Sequence, residues 1–215
     1  MVARRGRALC AAVLCGWWMV AGSAHALSFD PGAGASPDAQ YAASWVRDAA
    51  DHQNQPFAIV DKKEARIHVF GADGILLGSS PILMGLTAGD FATPDIARRA
   101  PASLQPFERT TPAGRFASQP GHNAKGEDIV WIDYDASLAI HRLRPAPPSE
   151  RRPERLASGN ASEHRISLGC VIVPVEFYDS VVAPVLGKRR GVVYVLPETR
   201  PVREVFGSFE VGSTR

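Results

Sequence analysis

The chain has 215 residues, 45% of them hydrophobic, and carries 24 lysines and arginines against 22 aspartates and glutamates, a formal net charge of +2. Three of the arginines fall in the first 26 residues, which contain no acidic side chain, so the other 189 residues carry 21 basic and 22 acidic groups. This balance excludes the basic excess typical of proteins that bind nucleic acid or membrane surfaces. The length suits one domain with a single sizeable core.

The first 26 residues have the pattern of a secretory signal peptide. Three arginines precede an apolar run over residues 8–22, and residues 24–26 have the form A-x-A that precedes a cleavage site. The run is too short to span a bilayer comfortably, which argues against a permanent membrane anchor. The pattern predicts an exported chain, cleaved after Ala26, in the periplasm or cell envelope.

Removal of this leader leaves Cys170 as the only cysteine, because Cys10 and Cys15 leave with it. Exported proteins ordinarily use cysteines in pairs, so a lone one indicates a free reactive thiol. Gly169 precedes the thiol and the apolar run 171–173 follows it, which places Cys170 where a turn meets a buried strand. Two interpretations fit these residues equally: a buried thiol acting as a small hydrophobe, and a nucleophile.

A linker and a short helix are predicted over residues 27–56. The helix extends from Asp38 to about His52, with Ser36 as its N-cap and Pro37 in its first turn. Its apolar residues fall on one face, so we expect it to pack against the main domain.

Short apolar runs separated by turns dominate the chain from Phe57 onward. The predicted strands cover residues 57–60, 66–70, 75–84, 110–116, 128–135, 138–143, 171–173 and 191–196. A short helix is predicted over 176–186, an irregular loop over 85–106, an exposed flexible loop over 144–160 and a tail over 199–215. Residues 57–198 are therefore predicted to form one mainly β domain, a sandwich or barrel-like sheet with minor helices.

A cysteine nucleophile needs a base or a cation to stabilise its thiolate. His141 ends the apolar run 138–140, which is where an active-site base at a sheet edge would lie; a strand-end histidine satisfied by its surroundings fits equally well. His164 lies six residues before Cys170 in a polar stretch and is predicted to be a solvated loop residue. The remaining histidines of the exported part are predicted to face solvent: His52, His68 and His122.

The sequence Ser167-Leu168-Gly169-Cys170, preceded by Ala139-Ile140-His141, resembles the catalytic domain of L,D-transpeptidases (YkuD-like), whose motif is an upstream His followed by Ser/Thr-His-Gly-Cys. The segment Thr111–Phe116 resembles the T-P-x-G-x-F segment of that family. The first predicted strands, over 57–85, and the last, over 191–196, resemble its opening and closing strands, so the resemblance covers about residues 57–198.

The chain departs from this family in three places. Leu168 stands where the commonest motif has a second histidine, and Ile172 stands where a polar residue often follows. The interval from His141 to Cys170 is 29 positions, which is longer than usual, and the excess lies in the loop 144–160.

The resemblance implies a YkuD-like fold and acyl transfer through a thioester on Cys170. It implies that His141 takes the thiol proton and that the carbonyl of Arg142 orients the imidazole. Backbone N–H groups of Gly169 and Cys170 are the candidate oxyanion donors, and Gly169 suits a close backbone approach.

Two further side chains are candidates for substrate binding. Arg165 suits a carboxylate, since a guanidinium binds it bidentately; a surface arginine fits equally well. Ser167 either hydrogen-bonds substrate or braces the turn before Cys170. No cofactor is predicted: Cys170, His141 and His164 lack a fourth metal ligand at recognisable spacing, and no Gly-rich phosphate loop is present.

The family's substrates are peptidoglycan stem peptides, so the resemblance predicts an L,D-transpeptidase that releases a terminal D-alanine. The acceptor is the amine of another stem or of a wall-anchored protein. Two alternatives stay open: a carboxypeptidase or other hydrolase on the same fold, with water as acceptor, and a non-catalytic peptidoglycan-binding domain in which Cys170 is inert. The presence of both Cys170 and His141 disfavours the last.

Overall fold

The computed structural model describes residues 34–207; the predicted signal peptide, residues 1–26, lies outside this range. The strands are β1 Phe57–Asp61, β2 Arg66–Phe70, β3 Leu76–Pro81, β4 Met84–Gly85, β5 Gly114–His122, β6 Asp128–Asp133, β7 Leu138–Arg142, β8 Arg165–Ser167, β9 Val171–Val173 and β10 Gly191–Val195. The helices are α1 Pro37–Asp48, α2 Arg152–Ala157, α3 Val175–Phe177, α4 Ala183–Val185 and α5 Val202–Val205, with a π-helical turn, Tyr178–Val182, between α3 and α4. Short 3-10 turns cover Ile96–Arg98, Pro101–Ser103, Pro106–Glu108, Pro148–Glu150 and Ala161–His164.

Eight strands form one sheet in the order β3-β2-β1-β10-β5-β6-β7-β9, and β4 pairs with β8. Within the large sheet, β1 with β10 and β7 with β9 are parallel, and the other neighbours are antiparallel. Leu83, just after β3, exchanges two backbone hydrogen bonds of 2.8 Å with Ile172 of β9, which brings the two edges of the sheet together. The sheet is thus nearly closed and barrel-like, and the prediction of a mainly β fold with minor helices is confirmed.

The two faces of β1 contribute to separate hydrophobic clusters. Ala58 and Val60 belong to the larger cluster, which is enclosed by the sheet. Phe57 and Ile59 point the opposite way, as alternation along a strand requires, and pack in a second cluster against α1. The predicted N-terminal helix is present as α1 but ends at Asp48, before the predicted His52. Ser36 caps it, its hydroxyl accepting a hydrogen bond of 3.1 Å from the N–H of Ala39.

Two predicted loops have more structure than their composition indicates. The segment 144–160, predicted to be exposed and flexible, contains α2, whose Leu156 is buried. The predicted tail contains α5, and two side chains of the tail, Val202 and Phe206, pack in the hydrophobic cluster around α1. No helix within residues 34–207 is both long and apolar enough to cross a membrane.

A buried lysine holds the long loop between β4 and β5 in place. Lys62 follows β1 and has no exposed side-chain surface. Its ammonium group donates to the carbonyl of Gly89 at 2.5 Å, to the carboxylate of Asp90 at 2.8 Å and to the carbonyl of Thr111 at 2.8 Å. All three ammonium protons therefore have acceptors, which compensates for removing the charge from water.

The same interaction keeps Asp90 ionised. Burial alone raises the pKa of this carboxyl, but hydrogen bonds from Lys62, the Thr199 hydroxyl and the backbone N–H groups of Glu198 and Thr199 lower it below its ordinary range. The ion pair between Lys62 and Asp90 thus connects the loop between β4 and β5, the residues just before β5 and the segment after β10.

Replacing Lys62 by methionine is expected to lower the free energy of unfolding by about 3–5 kcal/mol, because buried Asp90 loses the ammonium group bonded to it and keeps only the partly exposed Arg200, 3.9 Å away. Urea denaturation measures this. The neighbouring Lys63, whose side chain is 45% exposed, offers a matched control: Lys63→Met should cost less than about 1 kcal/mol. Equal losses in the two variants would contradict the assignment of Lys62 as the anchor.

Candidate active site

Cys170 and His141 lie on one face of two neighbouring parallel strands. In the register of β7 and β9, Ile140 pairs with Val171 and His141 pairs with Ile172. Ile140 and Val171 point into the large core, so His141, Ile172 and the preceding Cys170 take the opposite face. A strand rises about 3.3 Å per residue and neighbours lie about 4.8 Å apart, which puts the Cα atoms of Cys170 and His141 roughly 8 Å from each other.

A backbone carbonyl fixes the orientation of the His141 imidazole. Its Nδ1 lies 2.8 Å from the carbonyl oxygen of Arg142. Because a carbonyl only accepts, Nδ1 carries the proton, and in the neutral ring Nε2 has a free lone pair. Nε2 forms no hydrogen bond with any of the residues that the structure describes.

Burial sets the charge of this histidine. His141 is 8% exposed. Loss of solvent lowers its pKa to about 4; the bond to Arg142 opposes this, and the charges of Arg144 and Arg152 add to it. The imidazole is therefore neutral at pH 7 and available to accept a proton.

The thiol of Cys170 is also neutral in the resting site. Its Sγ donates to the carbonyl oxygen of Ser137 at 3.4 Å. Burial raises the pKa of the thiol, although a backbone hydrogen bond with Ala139 and the charge of Arg144 oppose the shift. The site thus holds a neutral thiol and a neutral imidazole on one face of neighbouring strands, rather than a thiolate paired with an imidazolium.

A chain of hydrogen bonds fixes the turn before the thiol. The Ser167 hydroxyl donates to the carbonyl of Cys170 at 2.8 Å and accepts from the N–H of Gly169 at 3.0 Å. The Thr111 hydroxyl donates to the carbonyl of Gly169 at 2.7 Å and accepts from the N–H of Gly85 at 2.9 Å. Ser167 is thus engaged within the turn itself, and Thr111 links this turn to the start of β5.

Glycine is required at position 169. Its φ is +145°, and a Cβ there would lie 2.7 Å from the carbonyl oxygen of Thr110. The N–H of Gly169 is occupied by Ser167, whereas the N–H of Cys170 donates to none of the described residues. Of the two oxyanion donors that the sequence suggested, Cys170 is the one with a free N–H in this conformation.

Arg165 lies apart from the Cys170–His141 pair. Its guanidinium forms an ion pair with Glu198 and is 3.4 Å from the carbonyl of Gly85. Glu198 also lies 3.3 Å from the ammonium of Lys62. The structure therefore joins Arg165 to the buried charge network, with its guanidinium already paired to a carboxylate.

Three histidines predicted to face solvent are buried, namely His52, His68 and His164. His164 is the clearest case: its Nδ1 lies 2.7 Å from the carbonyl of Ile82 and its Nε2 lies 3.0 Å from that of Ser158. These contacts attach the end of the 144–160 segment to the chain between β3 and β4. His122 alone is exposed as predicted, beside Asp128.

The segment 144–160 reaches the same face as the thiol, which its composition did not indicate. Leu156 of α2 packs with Ile172 and Leu83 in a small hydrophobic cluster. Arg144, just beyond β7, pairs with Glu127 at 2.9 Å. Within residues 34–207, no three histidine, cysteine or acidic side chains cluster closely enough to hold a metal ion.

Several solved structures resemble the chain at low identity. The catalytic domain of an E. faecium L,D-transpeptidase is 19% identical, with 66% of this chain and 98% of that one covered and a TM-score of 0.38. The helical cell shape determining protein Pgp2 from Campylobacter jejuni is 13% identical, with 73% and 55% covered and a TM-score of 0.44. A fused Zn-dependent amidase/peptidase/peptidoglycan-binding protein from Clostridium acetobutylicum is 14% identical, with 71% and 61% covered and a TM-score of 0.37.

This chain spans less than two thirds of the length of the latter two proteins. No family model and no curated protein matches it. At these identities and TM-scores, the similarities do not by themselves define an activity.

The lowered pKa of His141 predicts a specific loss of stability in acid. Between about pH 6.5, where an unfolded histidine titrates, and about pH 4, where His141 titrates in the fold, the unfolded state binds more protons, so stability falls as the pH falls. His141→Gln should remove this contribution, which is on the order of 3 kcal/mol across the window. Urea denaturation at pH 7.5 and pH 4 measures the difference.

The exposed His122 provides the control for this experiment. His122→Gln should leave the difference between the two pH values as it is in the parent protein, because its side chain is 67% exposed and lies outside the buried site. If His141→Gln and the parent lose the same stability between pH 7.5 and pH 4, the imidazole is not buried in its neutral form.

Proposed function

We propose that this protein is an L,D-transpeptidase acting on peptidoglycan stem peptides in the cell envelope. The observation that carries the proposal is the placement of Cys170 and His141 on one face of β7 and β9, with Nδ1 bonded to a carbonyl and Nε2 free. The motif around Cys170 and the Thr111–Phe116 segment support the family assignment, because the Thr111 hydroxyl bonds directly to the turn that holds the thiol.

The first half-reaction forms a thioester. Nε2 of His141 takes the proton from Sγ of Cys170 as sulfur attacks the carbonyl carbon of the third stem residue. The C–N bond to the terminal D-alanine breaks, and the imidazolium returns its proton to the leaving amine. Because both groups are neutral at rest, no buried ion pair has to exist before substrate arrives.

The second half-reaction transfers the acyl group. An acceptor amine, from another stem or from a wall-anchored protein, attacks the thioester and gives its proton to Nε2 of His141. Sulfur leaves and takes the proton back, which restores the thiol. The negative oxygen of each tetrahedral intermediate is assigned to the free N–H of Cys170, since that of Gly169 is already bonded to Ser167.

The proposal predicts the products made from a disaccharide-tetrapeptide. The parent protein should release D-alanine and form cross-linked dimers, and Cys170→Ala should form neither, because no other thiol lies in residues 27–215. Mass spectrometry of the digest measures both products, and a urea denaturation curve checks that the variant is folded. Formation of tripeptide without cross-linked dimers would indicate hydrolysis and contradict acyl transfer to an amine. Turnover by folded Cys170→Ala would exclude the thioester mechanism.

Thiol alkylation tests the assignment of the base. His141→Ala should slow the reaction of Cys170 with iodoacetamide at pH 7 by about tenfold, because the neutral thiol loses its proton acceptor. His122→Ala, which changes an exposed ring, should leave the rate unchanged. A slower reaction in His164→Ala with a normal rate in His141→Ala would assign the base to His164 instead.

A further inference from the structure

A pair of aromatic side chains lies on the same face of the sheet as the thiol. In the register of β6 and β7, Trp131 pairs with Ala139, and the register of β7 and β9 places Ala139 opposite Cys170. Val130 points into the large core, so its neighbour Trp131 takes the outer face, with Cys170. Two strand spacings of about 4.8 Å put the Cα atoms of Trp131 and Cys170 roughly 10 Å apart. Only the methyl group of Ala139 stands between them in this row.

The second aromatic side chain, Tyr134, is connected to the thiol through its own turn. Its ring centroid lies 4.9 Å from that of Trp131, with 61° between the planes. Tyr134 is 67% exposed, and its carbonyl accepts a hydrogen bond of 3.1 Å from the N–H of Ser137. The carbonyl of Ser137 in turn accepts from the thiol of Cys170 at 3.4 Å. The turn that presents Tyr134 is therefore in direct contact with the candidate nucleophile.

A glycine and a glutamine of β5 complete this surface. A Cβ at Gly121 would lie 2.6 Å from Cδ1 of Trp131, so the indole occupies space that only a glycine leaves free. Gln119 is exposed and pairs with Trp131 across the strands. The indole N–H, the Tyr134 hydroxyl and the Gln119 amide form no hydrogen bond with any residue between 34 and 207. Gln119, Trp131 and Tyr134, here named the aromatic platform, thus combine two rings with three unpaired polar groups.

The charges around the aromatic platform favour an uncharged ligand. None of its three side chains is ionised, and two carboxylates, those of Asp133 and Asp135, flank Tyr134 in the chain and oppose the approach of an anion. A stem peptide carries carboxylates, whereas the N-acetylated sugars that bear it are neutral. A sugar ring also offers C–H groups to aromatic faces, and hydroxyl and acetamido groups to polar side chains, which is the combination that the platform presents.

We propose that the aromatic platform is a carbohydrate subsite, which binds the N-acetylated sugar attached to the stem of the donor. The inference rests on the proposed function, which places the carbonyl of the third stem residue at Cys170. The sugar ring packs on Trp131 and Tyr134, and its polar groups bond to the indole N–H, the phenol hydroxyl and the Gln119 amide.

The length of the stem agrees with this placement. Three residues, counting the third itself, separate the sugar from the reacting carbonyl, and they span about 10–11 Å when extended. The Cα of Trp131 lies roughly 10 Å from that of Cys170, and its indole extends over Gly121, on the next strand away from the thiol. A sugar on an extended stem therefore reaches the platform while the third carbonyl is at the thiol.

The first test compares acylation of Cys170 by a disaccharide-tetrapeptide and by the same tetrapeptide without sugars. The parent protein should react with the first about tenfold faster or more, because only that donor contacts the rings. Tyr134→Ala should reduce the preference to about twofold or less. Phe107→Ala, which removes a ring that is 72% exposed in the loop between β4 and β5, should keep it. Equal rates in the parent, or a full preference in Tyr134→Ala, overturn the proposal.

A binding experiment separates this inference from the proposed function. If neither donor acylates Cys170, the transpeptidase proposal fails, and the platform is tested alone by titrating Cys170→Ala with the β-1,4-linked tetramer of N-acetylglucosamine. Tryptophan fluorescence reports binding at Trp131, because the only other tryptophan of residues 27–215, Trp45, is 8% exposed. Adding Tyr134→Ala to this variant should weaken binding about tenfold, and adding Phe107→Ala should not. Emission that stays constant during the titration, or equal binding after loss of Tyr134, overturns the carbohydrate subsite.

Discussion

The position of the candidate nucleophile depends on the buried ammonium group of Lys62. It fixes the carbonyl of Thr111, and the hydroxyl of the same threonine fixes the carbonyl of Gly169. Gly169 in turn has no room for a side chain against the backbone of Thr110. A displacement at the end of β1 would therefore be transmitted through two hydrogen bonds to Cys170. The T-P-x-G-x-F segment owes its place near the thiol to this chain of contacts, which a linear motif does not reveal.

Much of the sheet could be predicted from the sequence, because burial on a strand leaves a local trace. The runs that became β1, β2 and β10 are apolar, rich in β-branched or aromatic residues and bounded by turns. The turn before Cys170 was also predictable, since a glycine before an apolar run marks a tight backbone. The surroundings of Lys62 could not be predicted, because nothing adjacent to it in the chain indicates that Asp90 and Thr111 surround it.

The composition of the segment 144–160 predicts its exposure but not its contacts with the barrel. Its prolines, arginines and serines favour an exposed loop, and most of its residues are indeed exposed or half-buried. Two side chains nevertheless attach it to the barrel: Leu156 by packing against Ile172, and His164 by contacts with the carbonyls of Ile82 and Ser158. Each depends on residues distant in sequence, so no local pattern predicts them.

The apolar Ile172 is explained by the segment 144–160, which packs against it. A polar side chain at position 172 would face Leu156 and Leu83 without a hydrogen-bond partner, at a cost of about 1–3 kcal/mol. Because the segment 144–160 covers this face, an apolar residue is favoured at position 172.

Leu168, by contrast, is 38% exposed beside the thiol and supports no packing of this kind. It leaves an apolar surface where the commonest motif has an imidazole.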